Sequence, residues 1–219
     1  MRRDGSLEKR ARARRVASAV LEQKRHTLGF KATRFAGAVA ADLPACGDAP
    51  HMNQPATPCI FQPIGWVRSP YTRRFGTPQQ ASAVGSDAGA RLELDGARIP
   101  EDALADLEGV ERIWVLSFLD RGGTWSARVR PPRGSRELRG VFATRSPDRP
   151  NPIGLSAVRL LGVAGCTLHV RGIDLLDGTP ILDIKPYVPY ADAFPAARAG
   201  WIDEIPAGAP QIARYFPTR

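Results

Sequence analysis

Leu155-Ser156-Ala157-Val158-Arg159-Leu160-Leu161-Gly162-Val163-Ala164-Gly165-Cys166-Thr167-Leu168-His169-Val170-Arg171-Gly172-Ile173 is two strand-like runs joined by a tight connection. Residues 155–163 and 166–173 flank the two-residue Ala164-Gly165 link, the length of a β-hairpin loop. Further short runs of strand composition lie on both sides. Ile60 to Arg68 contains Pro63, which suggests an edge strand. Arg91 to Leu94 alternates, and Arg112 to Leu119 is nearly all apolar, as a central strand buried on both faces would be. Ala127–Arg130, Arg139–Thr144 and Ile181–Tyr187 extend the series, while Ser69 to Gln80 is a polar loop with Pro70, Gly76 and Pro78. Glu101 to Leu107 is the one convincing helix, acidic in its first turn as the helix dipole favours. Seven or eight short strands with one short helix predict a mainly β fold, a single closed or nearly closed barrel.

The chain has 219 residues, enough to bury a core. It carries 31 Lys and Arg against 22 Asp and Glu, a net charge of +9 that favours a polyanionic partner. The charge is uneven. Residues 1–57 hold eleven Lys and Arg against five Asp and Glu, so six of the nine net charges lie there. That extension is expected as a helix over Leu7–Leu28 with a thin apolar face, then a linker over Ala36–Pro58. It reads as unstructured and dispensable, as a transit peptide, or as a basic RNA-binding arm. The domains expected are the extension 1–57, a barrel 58–195 and a Pro- and Ala-rich tail 196–219.

Cys46, Cys59 and Cys166 are an odd number without Cys-x-x-Cys spacing, and His26, His51 and His169 are scattered. Neither a disulfide framework nor a metal site is suggested, which fits a reducing cytoplasm. No apolar run reaches the roughly 20 residues of a membrane helix. Dinucleotide and phosphate-loop glycine patterns, the Gly-x-Ser-x-Gly elbow and His-Glu-x-x-His are all absent.

Two stretches carry the chemistry. Gly140 to Gly154 opens as a strand at Val141-Phe142-Ala143 and then places Pro147, Pro150 and Pro152 within six residues. Each proline fixes its own φ and restricts its predecessor, so Arg145, Arg149 and Asn151 are displayed from a stiff loop. A rigid crossover with solvated arginines is the bland alternative. In the second stretch, Asp177-Gly178 is a turn pair. Ile181, Asp183 and Lys185 alternate with Leu182 and Ile184, and opposite charges on one face of a buried-looking strand imply pairing or function.

Taken together, Phe142-Ala143-Thr144-Arg145-Ser146, Arg149-Pro150-Asn151-Pro152-Ile153-Gly154, Asp177-Gly178-Thr179-Pro180 and Asp183-Ile184-Lys185-Pro186-Tyr187 resemble the TsaA-like family. The match runs from Ile64-Gly65 through Arg68-Ser69-Pro70, Trp114 and Arg130-Pro131-Pro132-Arg133 to Tyr190. The resemblance implies a homodimeric β-barrel that binds S-adenosyl-L-methionine without a Rossmann domain. It implies N6-methylation of threonylcarbamoyl-adenosine at position 37, in the anticodon loop of tRNA. Carried over by position, Pro78, Gln79, Gln80, Asp120, Arg121, Arg145, Leu155 and Asp174-Leu175-Leu176-Asp177 contact the cofactor. The family's Pro-Arg-Gln is here Pro78-Gln79-Gln80, and its histidine-led pair after the long strand is Asp120-Arg121. The small C-terminal domain of longer members is expected to be missing.

The residue types suit that ligand. Carboxylates at Asp174 or Asp177 take ribose hydroxyls or the ammonium, and Arg145 takes the ligand's carboxylate. Asp183 is the expected proton acceptor for the N6 group, with Lys185 and Tyr187 setting its charge or orienting the base. Arg130 or Arg133, Arg149 and Asn151 hold RNA or brace the stiff loop. A non-catalytic RNA-binding barrel, and a same-fold methyltransferase with a different small-molecule or nucleotide substrate, are the other readings.

Overall fold

A computed structural model describes residues 59–74, 77–78, 81, 88–132, 134 and 137–205. The chain divides between Pro58 and Cys59, and the described residues all belong to the second unit. The expected helix over Leu7–Leu28, the linker that follows it and residues 206–219 of the tail lie outside them.

Gly65–Arg68 (β1), Gly89–Leu94 (β2), Arg112–Phe118 (β3), Ile153–Ala164 (β6), Thr167–Arg171 (β7) and Pro180–Pro186 (β8) form a closed barrel. Its cyclic order is β1-β2-β7-β6-β3-β8, with every neighbour antiparallel. Arg128–Val129 (β4) and Arg139–Gly140 (β5) make a separate two-stranded ribbon. A short helix, Pro189–Asp192 (α1), follows β8. The barrel predicted from the strand count is present.

Inward side chains fill the barrel. Val67, Leu92, Ile113, Val115, Val158, Leu168, Val170, Ile173 and Ile181 are fully buried, each contributing roughly 1.5–3 kcal/mol by leaving water. Strict alternation along β2, β3, β6 and β7 places them there. Antiparallel order also collects the C-terminal ends of β1, β3 and β7 with the N-terminal ends of β2, β6 and β8 at one end, the mouth.

Several local expectations change. β1 is not an edge: it pairs with β2 on one side and β8 on the other, and Pro63 lies just before the strand. β3 buries one face only, and Phe118 on its outer face is 42% exposed. Glu101–Leu107 is not an α-helix but a 3-10 turn over Glu101–Leu104, followed by another over Leu107–Gly109. Asp106, at φ 64°, breaks the run, and Leu104 alone is buried, too little to offset helix nucleation. Val141–Ala143 is a 3-10 turn rather than a strand, because Thr144 N–H and Thr144 Oγ1 both close onto the Val141 carbonyl. The hairpin turn is Gly165-Cys166, one residue later than expected, since Ala164 pairs with Thr167 and Gly165 takes the positive φ.

The largest correction concerns β8. Register shifts so that Ser117 faces Ile181 while Leu116 faces Asp183, leaving Leu182 as a bulge. Ile181 and Asp183 therefore point to opposite sides of the wall. Ile181 is buried in the barrel, and Asp183 and Lys185 stand on the outer face opposite Leu116 and Trp114.

At Gly65 a Cβ would overlap the backbone carbonyl of Glu93, because β1 crosses β2 closely there. Gly65→Ala is expected to cost about 1–3 kcal/mol, the usual penalty for overpacking, measured as a lower midpoint in urea unfolding.

Candidate active site at the barrel mouth

Asp174 is the centre of the mouth. It follows β7 and meets three other segments. Ser156, inward on β6 and 2% exposed, donates its hydroxyl to Asp174 Oδ1 at 2.5 Å. Ala81 in the β1–β2 loop donates its backbone N–H to the carboxylate, and the Arg145 guanidinium acts on it electrostatically. Burial pushes the Asp174 carboxyl above the ordinary carboxylate range, and the hydrogen bonds and Arg145 only partly pull it back. Nearby inside the barrel, Ser117 Oγ is fully buried with no hydrogen-bond partner, and a Cβ at Gly154 would overlap it.

The rest of the 174–178 loop is pinned. Asp177 Oδ1 accepts Ser69 N–H at 3.1 Å, and Ser69 Oγ donates to the Leu175 carbonyl at 2.7 Å. Asp177 N–H reaches the Tyr71 carbonyl, and Arg121 Nη2 donates to the Asp177 carbonyl at 2.5 Å. Gly178, at φ +76°, supplies the turn read from the sequence. The Asp177 side chain is thus an internal acceptor as well as a candidate ligand.

Of the expected cofactor contacts, Pro78, Asp120, Arg121, Arg145 and Asp174–Asp177 fall in the loops of this one end. Gln79 and Gln80 lie outside the described residues. Leu155 is on the outer wall, 54% exposed and opposite Leu116, on the face away from Ser156. Asp183 Oδ2 pairs with Lys185 Nζ at 2.7 Å, both partly exposed on that same outer wall. The Tyr187 ring lies tilted against Trp114, centroids 5.3 Å apart, further from the mouth.

Among the expected RNA contacts, Arg130 is exposed beside the ribbon and Asn151 is exposed on the stiff loop. Arg133 lies outside the described residues. Arg149 braces its own loop: Nη1 donates to the Val141 and Thr144 carbonyls at 3.2 and 2.8 Å, and its guanidinium lies 5.4 Å from the Phe142 ring.

Sequence reasoning overlooked four residues. Ser156 was hidden in the strand alternation, although a serine on the inward face is itself a signal of a buried polar partner. Asp148 and Arg74 form an ion pair at 2.7 Å between two mouth loops. Asp192 on α1 accepts from Trp114 Nε1 at 2.9 Å, and the Val188 N–H and Trp114 hydrogen bonds hold its carboxyl below the usual range.

A family model described as the tRNA-methyltransferase O N-terminal domain matches residues 66–193. The chain is 42% identical over 154 residues to the tRNA (adenine(37)-N6)-methyltransferase of Escherichia coli K12, covering 67% of this chain and 65% of that protein. It is 48% identical over 150 residues to a putative S-adenosylmethionine-dependent methyltransferase, RcsF, of Pseudomonas aeruginosa PAO1, covering 67% and 64%. It is 44% identical over 141 residues to a probable S-adenosyl-L-methionine-binding protein of Archaeoglobus fulgidus, covering 64% and 37%. The chain thus spans less than two thirds of the length of each of these relatives. The crystal structure of TrmO from Pseudomonas aeruginosa superposes with a TM-score of 0.57 at 42% identity, over 69% of this chain and 66% of that one.

A raised Asp174 favours the neutral carboxyl in the folded state. Its stability contribution is full below the unfolded value and is lost as pH rises through the folded value. Asp174→Asn keeps an acceptor for Ser156 without the charge. The ligand-free variant is expected to melt higher than wild type at pH 7, with the difference vanishing in thermal scans near about pH 4, around the ordinary Asp value.

Proposed function

The chain belongs to the tRNA-methyltransferase O N-terminal-domain family, the TsaA-like family its motifs resemble, and from that premise we propose that it is a methyltransferase using S-adenosyl-L-methionine. Its substrate is N6 of threonylcarbamoyl-adenosine 37 in the anticodon loop of tRNA. One observation carries the reading: the three loops bearing Pro78, Asp120-Arg121 and Arg145 meet the Asp174–Asp177 loop at one barrel mouth. The names of the relatives agree with it.

The mouth fits the cofactor's groups. Asp174 is a partly buried carboxylate short of positive charge, suited to an ammonium or to ribose hydroxyls. Ser117 Oγ, buried without a partner, is a spare polar atom close by. Arg145, exposed and near Asp174, suits a carboxylate. The bound cofactor supplies an electrophilic methyl group. The protein's part is then to orient and to manage one proton. Rigid loops fix the approach, where most catalysis by positioning arises. Asp183 takes the proton that the N6 group loses, through the carboxylate held beside Lys185. Tyr187, packed at a tilt against Trp114, orients the base on the outer wall. Arg130, Arg133 and Asn151 meet the RNA, with Arg149 keeping the loop of Asn151 in shape.

The protein acts as a homodimer in the cytoplasm. Support for the dimer comes from the outer wall, where Phe118 faces Ile153 and Leu116 faces Leu155, a contiguous apolar strip with 42–54% exposure at Phe118, Ile153 and Leu155. Such a strip suits a second copy, and it would bring Leu155 and Asp183 under cover. Ile153→Asp is expected to shift the molecular mass in light scattering from dimer to monomer.

Mass analysis of tRNA nucleosides after incubation with the protein and labelled cofactor tests the activity itself; a methyl gain on threonylcarbamoyl-adenosine is expected. Arg145→Ala should weaken cofactor binding about 10- to 100-fold, the loss of a charge-assisted pair worth roughly 1.5–3 kcal/mol. Asp183→Ala should slow transfer and leave that affinity intact. Unchanged activity in both variants would remove these residues from the site.

A further inference from the structure

We infer that Asp148 is the positioning residue that locks the three ligand-contact loops into one pre-formed mouth; this rests on the methyltransferase reading above. Arg74 Nη2 from the β1–β2 loop lies 2.9 Å from Asp148 Oδ1 and 2.7 Å from Oδ2. Gly123 N–H, from the loop after β3, donates to the same Oδ1 at 2.6 Å. One carboxylate in the proline-rich loop that carries Arg145 is therefore shared by Arg74 of the β1–β2 loop and by Gly123, two residues after Arg121.

Geometry separates this role from fold maintenance. Arg74, Gly123 and Asp148 all lie outside the hydrophobic core, so the barrel does not need them. The pair is better than an ordinary surface ion pair, which contributes little, because the Asp148 side chain is only 26% exposed and also satisfies a backbone N–H. Releasing it would leave each loop to be ordered by the ligand. Fixing a residue's backbone costs conformational entropy, so the loss is felt in affinity.

The position within the loop explains the geometry. Pro147 and Pro150 flank Asp148 and Arg149; Pro147 has a fixed φ just before Asp148, and Pro150 pushes Arg149 towards extended geometry. Arg149 turns inward to the Val141 and Thr144 carbonyls. Asp148 turns towards the two facing loops, and its carboxylate replaces water for Gly123 and Arg74 together. No cofactor atom is needed for this contact, so the clamp acts on readiness rather than on chemistry.

The test is calorimetric titration of the full chain with S-adenosyl-L-methionine, with thermal unfolding of each variant in parallel. Asp148→Ala should bind about tenfold more weakly, equivalent to ~1.4 kcal/mol, with an unfolding midpoint within a few degrees of wild type. Arg74→Gln and Asp148→Asn should each lose about threefold, and the double variant Arg74→Gln/Asp148→Asn no more than either alone, the non-additivity of a shared contact. In steady-state assays the cofactor KM should rise while kcat stays near wild type. Binding within twofold of wild type in both Asp148→Ala and Arg74→Gln overturns the clamp. If Asp148→Ala does not fold, Arg74→Gln, an exposed substitution, decides alone. A wild-type protein that binds no S-adenosyl-L-methionine overturns the methyltransferase reading and the clamp with it, whereas normal wild-type binding with unaffected variants overturns the clamp only.

Discussion

Ile64 and Val67 donate their backbone N–H groups to the carbonyls of Ile181 and Thr179, joining the first strand of the domain to the last. With β1 seated between β2 and β8, no strand of the barrel is left with an open edge. Closure also decides where loops can go. Successive antiparallel strands must turn at alternate ends, so the segments after β1, β3 and β7 and the one entering β6 emerge at the same rim. Residues far apart in sequence, such as Ser69 and Asp177, meet there because the ring leaves them no other place.

The interior of so small a barrel is filled by side chains, so a ligand site has to be built on the rim or the wall. At the rim the aliphatic core gives way to Ser117, Ser156, Asp174 and Thr179, polar groups with little access to water. Burying a carboxylate among them is unfavourable for the ligand-free protein. A ligand that brings positive charge or hydroxyl donors would relieve that cost, so the instability of the empty site becomes part of the affinity for the right partner. Arg145 is exposed and acts on Asp174 electrostatically.

Legibility followed period. Strands with unbroken alternation, β2, β6 and β7, were read correctly to within two or three residues, because a half-buried sheet imposes a period of two. Errors gathered where the period changes without a glycine or proline to mark it. Leu182 is an ordinary strand residue, yet the bulge at it sends Asp183 and Lys185 outside, and no local signal announced it. Val141-Phe142-Ala143 has strand composition, but the fate of its carbonyls is decided by Thr144 and Arg149 further along. The candidate site was legible as a set of loops, from residue types and their order. Its connections were not: Ser156 meets Asp174 just beyond the paired part of the β6–β7 hairpin, 18 residues on, and Arg74 meets Asp148 across 74 residues, where the ring brings their loops to one rim.

The bulge in β8 decides which side of the wall Asp183 occupies. Asp174 belongs to the rim through the inward face of β6, while Asp183 and Lys185 stand on the outer face of β8 with Leu116 and Leu155. Without the extra residue at Leu182, Asp183 would follow Ile181 into the core, where an ionised carboxylate is heavily penalised. With it, the acid is displayed on a wall that also carries the apolar strip. The barrel therefore places Asp174 and Asp183 on opposite sides of one sheet, and a single irregularity in one strand achieves it.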